Sequence, residues 1–247
     1  MDWYLILEPD GRSGAHNMAI DESLLLEADR TGHAYLRLYR FSPPCLSFGR
    51  HEPARERYDR AAIERLGLDV VRRPTGGRAV WHEHELTYAV AAPIAAFGSL
   101  RESYRSIHAR LAGALRALDI AATLAPNRDG HAAFGPGGCF AAPVGGEVVV
   151  LGKKVVGSAQ VRRGTAFLQH GSVLLGGSQE VINAVSYQPS AVSSATSVAQ
   201  VLGRRTSFAE VAQAITATWD SEFTPTIPYR PPPSPAAYSD PSWTWRR

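Results

Sequence analysis

Alternating hydrophobic and polar positions along the chain predict strands interspersed with helices. Strict alternation is typical of half-buried strands, whereas apolar residues recurring every three or four positions are typical of amphipathic helices. In the first predicted helix, Met18, Ile20, Leu24 and Leu25 form the apolar side. Strands are predicted over 3–8, 34–40, 45–48, 69–73, 79–90, 147–161 and 165–175, and helices over 16–28, 54–66, 101–118 and 206–223.

The order of these elements predicts the fold class. Strands and helices do not follow strict strand–helix–strand alternation, so we expect an α+β fold with a mixed sheet. One domain is predicted over residues 1–224. Seven of the 17 prolines lie between Pro225 and Pro241. Because proline lacks a backbone N–H and fixes φ, residues 225–247 are predicted to form a Pro-rich tail without helix or central strand, lying along the surface or disordered.

Composition and charge narrow the possible partners. The 247 residues are 45% hydrophobic and 20% charged, which is typical of a globular protein. No basic stretch followed by an apolar stretch opens the chain, and no apolar run reaches membrane-spanning length, so a cytoplasmic protein is predicted. The net charge is +3, and the basic residues are scattered in pairs such as 204–205. This distribution gives little support for nucleic-acid binding and favours an acidic protein partner.

Two short motifs contain residues suited to binding. The segment RRPTGGRAVWH at 72–82 places a Thr75–Gly76–Gly77 turn between two predicted strands, where backbone N–H groups can approach a ligand. Arg73 and Arg78 flank this turn and could bind an anion; a plain hairpin turn with surface arginines is the alternative. In GKKVVGSAQ at 152–160, strand alternation places Lys154 and Ser158 on one face, unless GKK is a solvent-exposed turn.

Cysteine and histidine supply the remaining candidates. Cys139 lies in the Gly-rich segment GPGGCF, predicted as a loop, whereas Cys45 fits a buried, inert thiol. In a chain without a secretion signal both thiols are expected to be free. His170, in LQHGS, either orients a substrate or satisfies a hydrogen bond at a strand end. No metal-binding spacing is visible, and the phosphate-binding pattern GxxxxGK[ST] is absent.

Five blocks in fixed order resemble the lipoate–protein ligase A superfamily, which includes biotin ligase-like catalytic domains. They are NMAIDESLL at 17–25, LSFGRHEP at 46–53, RRPTGGRAVWHEHELTYAV at 72–90, GKKVVGSAQVRRGTAFLQHGSVLL at 152–175, and SSATSVAQVLGRR at 193–205. The resemblance is to the octanoyltransferase branch. ATP-dependent ligases usually have a third glycine where this chain has Arg78, and Cys139 precedes the family lysine, Lys154, by fifteen positions.

The resemblance implies roles for individual residues. Cys139 is expected to be the acyl-accepting nucleophile, with Lys154 beside the thioester. The substrate-binding positions implied by the family are Arg73, Thr75, Gly76, Gly77, His82, Ser158, Ala159, Gln160, His170 and Gly171. Arg78 is added to them as the second arginine that flanks the turn.

The implied reaction is octanoyl transfer from octanoyl-acyl carrier protein to a lysine of a lipoyl-domain protein, such as the glycine cleavage H protein or a 2-oxoacid dehydrogenase E2 subunit. Exchange of one thioester for another is near balance and amide formation is downhill, so no ATP, metal or other cofactor is expected. Two alternatives stay open: an ATP-dependent lipoate ligase or lipoyl amidotransferase, and a non-catalytic module that binds acyl groups or carrier proteins.

Overall fold

A five-stranded mixed sheet forms the centre of the molecule. Its strand order is β1-β2-β6-β11-β10; β1 and β2 are parallel, and the other neighbours are antiparallel. The computed structural model describes residues 2–126, 140, 145–189, 195–219, 223–224 and 235–247. The strands are β1 (Trp3–Arg12), β2 (Ala34–Phe41), β3 (Cys45–Phe48), β4 (Asp69–Arg72), β5 (Val80–His82), β6 (Glu85–Pro93), β7 (Ala122–Leu124), β8 (Val148–Val150), β9 (Lys153–Lys154), β10 (Val156–Arg163) and β11 (Ala166–Leu174).

The helices cover the sheet on both faces. Along β2, Leu36 and Leu38 face a cluster formed with α4 and α7, whereas Tyr35 and Tyr39 face α1. Strand β2 is therefore buried on both sides, which explains its nearly continuous apolar sequence. The helices are α1 (Gly14–Thr31), α2 (Ala54–Arg57), α3 (Arg60–Arg65), α4 (Leu100–Arg116), α5 (Glu180–Ala184), α6 (Val198–Leu202), α7 (Phe208–Ala217), α8 (Ala236–Ser239) and α9 (Pro241–Thr244).

Two small sheets complete the fold. Strands β4, β3 and β5 form one, packed against α2, α3 and α5. Strands β7, β8 and β9 form the other, which carries Lys154 at its edge. The α+β class with a mixed sheet is thus confirmed. None of the helices in the described ranges is long and apolar enough to cross a membrane.

Several predicted boundaries were wrong for identifiable reasons. Residues 54–66 form two helices because Tyr58 is extended and the Asp59 side chain accepts a hydrogen bond from the amide of Ala62, which starts α3. Residues 79–90 split into β5 and β6, which belong to different sheets. Helix α1 is longer than predicted because Ser13 caps its start and Gly32, with a φ of 76°, ends it. Helices α5 and α6 were not predicted, and α7 ends at Ala217.

The prediction that residues 225–247 contain no helix was also wrong. Helices α8 and α9 lie there, and prolines begin both of them: Pro235 is the N-cap of α8 and Pro241 is the first residue of α9. Proline is well suited to a first helical turn, where its missing N–H would have no intrahelical acceptor. Trp245 is 8% exposed and packs edge-on against Phe48, with ring centroids 5.4 Å apart. This segment therefore contributes to the core around β3.

We predict that Trp245→Ala lowers the free energy of unfolding by about 2–4 kcal/mol, because it removes a buried aromatic ring next to Phe48. Urea denaturation followed by circular dichroism would measure this change. Leu151→Ala is the matched control, since Leu151 is 91% exposed and should have little effect. An unchanged midpoint for Trp245→Ala would show that residues 235–247 unfold independently of the rest.

Candidate active site

A cavity with about 360 Å³ of empty space lies between the main sheet, helix α1 and the sheet formed by β4, β3 and β5. Apolar side chains from Met18, Phe41 and Val80 line it together with polar groups. A mixture of this kind suits a ligand with an apolar chain and one polar end. The lining residues are Met18, Tyr39, Phe41, Ser47, Arg73, Val80, His82, Thr87, Gly157, Ser158, Ala159, His170, Gly171 and Ser172.

Arg73, which lines this cavity, holds the loop formed by residues 75–78 beside it, which we call the rim loop. Its Nη1 donates to the carbonyl and the hydroxyl of Ser47, both at 3.0 Å. Its Nε and Nη2 donate to the carbonyl of Gly76, and Nη2 also donates to that of Arg78. A guanidinium has five N–H donors, and these contacts use all of them. The geometry therefore favours Arg73 as a residue that shapes the loop over one that directly binds an anion.

The two glycines of the loop have different roles. Gly77 has a φ of +89°, which L side chains rarely adopt, and a Cβ there would lie 2.9 Å from Nη2 of Arg73. Gly49 approaches this residue so closely that a Cβ on Gly49 would collide with the Gly77 carbonyl oxygen. Gly76 differs, since a Cβ added there would meet no described atom within 4 Å. The fold therefore requires glycine at 49 and 77, whereas no described contact requires it at 76.

A buried ionic network supports the other wall of the cavity. Asp21 and Arg37 are both fully buried, and Nη1 of Arg37 lies 2.7 Å from Oδ1 of Asp21. Arg37 also donates to Glu8 and to the side-chain oxygen of Asn17, each at 2.7 Å. The guanidinium is thus fully paired, as a charge buried in an apolar interior requires. This network joins β1, α1 and β2.

His170 extends the network into the cavity. Its Nδ1 lies 2.8 Å from Oδ2 of Asp21, and its Nε2 lies 2.6 Å from the hydroxyl of Thr75. Burial lowers the pKa of His170, although the hydrogen bond to Asp21 opposes this shift. Burial would raise the pKa of Asp21, but His170 and Arg37 outweigh it and the pKa is lowered. His170 is therefore neutral, donating from Nδ1 to the carboxylate and accepting from Thr75 at Nε2.

His82 is fixed in the same way by a carboxylate. Its Nδ1 lies 2.6 Å from Oε1 of Glu85, and its Nε2 lies 2.7 Å from the hydroxyl of Ser47. The ring also stacks on Phe41, with centroids 4.0 Å apart. Ser47 is shared with Arg73, so the histidine, the rim loop and β3 are held as one unit.

Ser158 connects the cavity to helix α4. Its hydroxyl lies 2.8 Å from Nε2 of His108, whose Nδ1 donates to the carbonyl of Gly146 at 2.7 Å. The hydroxyl of Tyr88 lies 2.6 Å from Ser158 on the other side, and Gln169 donates to Tyr88. Burial lowers the pKa of His108 to about 4, so its ring is neutral and Nε2 accepts from Ser158. The chain of hydrogen bonds ends at the turn before Glu147.

Lys154 lies at the end of this chain of contacts. It is 1% exposed, and its Nζ donates to Oε1 of Glu147 at 2.6 Å. The same Nζ lies 5.3 Å from the centre of the Phe140 ring, a cation–π contact. Phe140 in turn packs on Gly157, where a Cβ would lie 2.8 Å from the ring. The expectation that Lys154 faces inward is met; the alternative of a solvent-exposed turn is wrong for Lys154.

The predicted alternation between Lys154 and Ser158 is interrupted. Val155 and Val156 both join the cluster around α4, so the chain bends between β9 and β10. Lys154 therefore lies outside the lining of the cavity, while Ser158 is part of it. Cys139 and most of the Gly-rich segment lie outside the described residues.

The remaining candidate residues divide by position. Arg73, His82, Ser158, Ala159, His170 and Gly171 line the cavity. Thr75, Gly76, Gly77 and Arg78 belong to the rim loop, whereas Gln160 lies farther along β10 and donates to Ser103 and Gln169. Among the residues that the structure describes, no group of three or more metal-ligating side chains is found.

The sequence did not single out several residues on which the site depends. They are Asp21, Arg37, Ser47, His108 and Glu147. Asp21 lies within the block NMAIDESLL, and a carboxylate inside an apolar helix face is a signal of a buried partner.

We predict that acid weakens the fold through His108. The pKa of His108 is about 4 in the folded protein and about 6.5 in an unfolded chain. Between these two pH values only the unfolded chain takes up a proton. The free energy of unfolding therefore decreases as the pH is lowered, by about 3 kcal/mol at most. His108→Gln should therefore show a shallower decline in urea midpoint from pH 7 to pH 4.5.

His84→Gln is the control for this measurement, because the side chain of His84 is 59% exposed and its loss should leave the decline unchanged. Equal slopes for the wild type and His108→Gln would contradict the prediction.

Comparisons with known proteins agree with this architecture. The family model for the lipoyl protein ligase A/B catalytic domain matches residues 13–220. A protein of Carboxydothermus hydrogenoformans named octanoyltransferase LipM is 43% identical over 179 residues, 71% of this chain and 66% of that protein. A LipM of Moorella thermoacetica is 37% identical over 230 residues, 85% of this chain and 84% of that protein.

Solved structures show the same fold. Lipoate-protein ligase A bound with ATP superposes with a TM-score of 0.74 at 22% identity, covering 91% of this chain and 88% of that one. A bipartite lipoate protein ligase from Thermoplasma acidophilum gives a TM-score of 0.71 at 20% identity, covering 99% and 95%. With a family match over most of its length, this chain belongs to the lipoyl protein ligase A/B catalytic-domain family.

Proposed function

We propose that this protein is an octanoyltransferase that moves an octanoyl group from an acyl carrier protein to a lysine of a lipoyl-domain protein through a thioester on Cys139. The observation that carries the proposal is the buried ammonium of Lys154 beside Phe140, the residue that follows Cys139 in the sequence. A cation of this kind stabilises a thiolate and the oxyanion that forms when a thioester is attacked. The octanoyltransferase names of relatives at 37–43% identity support the same assignment.

The reaction proceeds in two balanced steps. The thiolate of Cys139 attacks the donor thioester, and the carrier thiol leaves and takes up a proton. The neutral ε-amine of the acceptor lysine then attacks the new thioester and loses a proton to solvent, forming an amide while Cys139 is released as a thiolate. Each step exchanges one acyl bond for another, so the proposal needs no ATP.

Under this proposal the other residues bind and position the acyl group. Met18, Phe41 and Val80 offer an apolar surface to the octanoyl chain. His170, held by Asp21, binds Thr75 and so fixes the rim loop beside the cavity. Glu147 fixes the ammonium of Lys154, and the hydrogen bonds through Ser158 and His108 hold the turn that carries Glu147.

The covalent mechanism predicts that Cys139→Ala abolishes transfer, whereas Cys45→Ala keeps it. Cys45 is fully buried, and burial raises the pKa of its thiol well above the usual value, so it is unreactive. Intact mass after mixing with octanoyl carrier protein should show an octanoyl-sized gain in the wild type and in Cys45→Ala only.

Modification of the acceptor lysine, measured with two different octanoyl sources, distinguishes a transferase from an ATP-dependent ligase. One tube holds a lipoyl domain and octanoyl carrier protein; the other holds the same domain with free octanoate, ATP and Mg²⁺. Modified lysine is expected in the first tube only. Modification in the second tube that survives Cys139→Ala would place the protein with the ATP-dependent ligases.

Space at Gly76 gives a second test. Because a Cβ there meets no described atom within 4 Å, Gly76→Ala should leave the melting temperature nearly unchanged. If the acyl group or carrier arm approaches this backbone, octanoyl loading should slow by about tenfold, equivalent to about 1.4 kcal/mol.

Ala15→Gly, in α1 and outside the rim loop, is the control for effects of handling and expression. Gly146→Ala is unsuitable as a control, because Gly146 has a φ of 85° that strains an alanine. Unchanged loading by Gly76→Ala would remove the rim loop from the binding surface.

A further inference from the structure

A second, larger groove lies at one end of the main sheet, on the side of α6 and α7. It contains about 1010 Å³ of empty space. Arg40, at the end of β2, and Arg205, just before α7, lie on its walls. We refer to it as the Arg40–Arg205 groove; its lining residues are Arg40, His84, Leu175, Gly176, Gly177, Ala199, Arg205, Thr206, Ser207 and Phe208.

The charged side chains that line this groove are all basic. Two arginines and one histidine line it, and no aspartate or glutamate is among its described lining residues. Arg205 and its neighbour Arg204 are both exposed, and the guanidinium of Arg204 is paired with Glu210 at 2.6 Å. Within the described part of the chain, the buried hydroxyl oxygen of Thr206 has no hydrogen-bond partner. The groove therefore offers cationic groups to an anion.

Backbone hydrogen bonds connect the groove to Lys154. The amides of Leu175 and Gly176 donate to the carbonyl of His84, and the amide of Ala199 donates to that of Leu175. The preceding residue, Leu174, donates to Val155, which follows Lys154 in the chain.

A second connection comes from the segment before α6. The amide of Thr196 donates to the carbonyl of Lys154 at 2.9 Å, and α6 begins two residues later and reaches the groove at Ala199. The floor of the groove and the backbone of Lys154 thus belong to one hydrogen-bonded layer. The groove is therefore connected through backbone hydrogen bonds to the segment that carries Lys154.

We propose that the Arg40–Arg205 groove is the docking site for the acidic surface of the donor carrier protein, an inference that rests on the proposed octanoyl transfer. The donor presents its thioester on an arm attached through a phosphodiester, so the region around the arm is anionic. The acceptor presents a lysine, and the arginines of the groove repel its positive charge. Charge complementarity of this kind raises association rates and selects partners.

The test compares two pairs of charge reversals. Arg40→Glu/Arg205→Glu reverses the groove. Arg101→Glu/Arg105→Glu makes the same change in net charge on α4, where both residues are exposed, beyond the end of β6 opposite the groove. Loading of Cys139 is measured with octanoyl carrier protein and with octanoyl-N-acetylcysteamine, an uncharged thioester that lacks the carrier.

The groove variant should lower kcat/KM for octanoyl carrier protein by about tenfold at low salt, and the difference should shrink as ionic strength rises because salt screens exposed charges. Its kcat/KM for octanoyl-N-acetylcysteamine should equal that of the wild type, and the α4 variant should match the wild type with both donors.

Three results would overturn the docking site: unchanged kcat/KM for the carrier donor, equal loss with both donors, or a rise in KM for the lipoyl-domain acceptor instead. A wild-type protein that loads from neither donor would refute the octanoyl transfer itself, which distinguishes that failure from failure of the groove.

Discussion

The buried Asp21 carboxylate holds together parts of the chain that are far apart in sequence. Through Arg37 it joins α1 to β2, and through His170 it joins α1 to β11, 149 positions away. Arg37 is fully buried and has two carboxylate partners, Asp21 and Glu8, of which Asp21 is the one that is itself fully buried. His170 then fixes Thr75, so the rim loop also depends on this carboxylate. One side chain thereby sets the relative position of the central sheet and the cavity.

Polar side chains lie beside the cavity in the interior of the fold. They are stable there because each one is hydrogen-bonded to another buried group. Each histidine beside the cavity has both ring nitrogens engaged: His170 by Asp21 and Thr75, His82 by Glu85 and Ser47. In a medium of low dielectric constant such contacts are strong, and breaking one leaves a costly unpaired group. These contacts fix both histidine rings before any ligand arrives, which lowers the entropy lost on binding.

Features that depend on neighbouring residues could be predicted from the sequence, whereas those that depend on distant partners could not. Helix α1 and the Thr75–Gly77 turn follow from local periodicity and from glycine. The division of 79–90 between β5 and β6 depends on which sheet each half joins, and neither partner strand is adjacent. His108 acts through Ser158, 50 positions away, so nothing near it in sequence reveals its role. The helices of residues 235–247 are not evident from the sequence, because proline interrupts a helix in its interior but is favourable at its start.

The burial of Lys154 has a consequence for chemical selectivity. If Cys139 carries the acyl thioester as proposed, two kinds of lysine compete for it: one belonging to the enzyme and one belonging to the acceptor. Lys154 is 1% exposed, and its ammonium is bound to Glu147 at 2.6 Å. An ammonium has no lone pair, so Lys154 cannot attack the thioester while it stays protonated and bound to Glu147. The pairing that keeps this charge in place thus also prevents Lys154 from taking the acyl group meant for the acceptor.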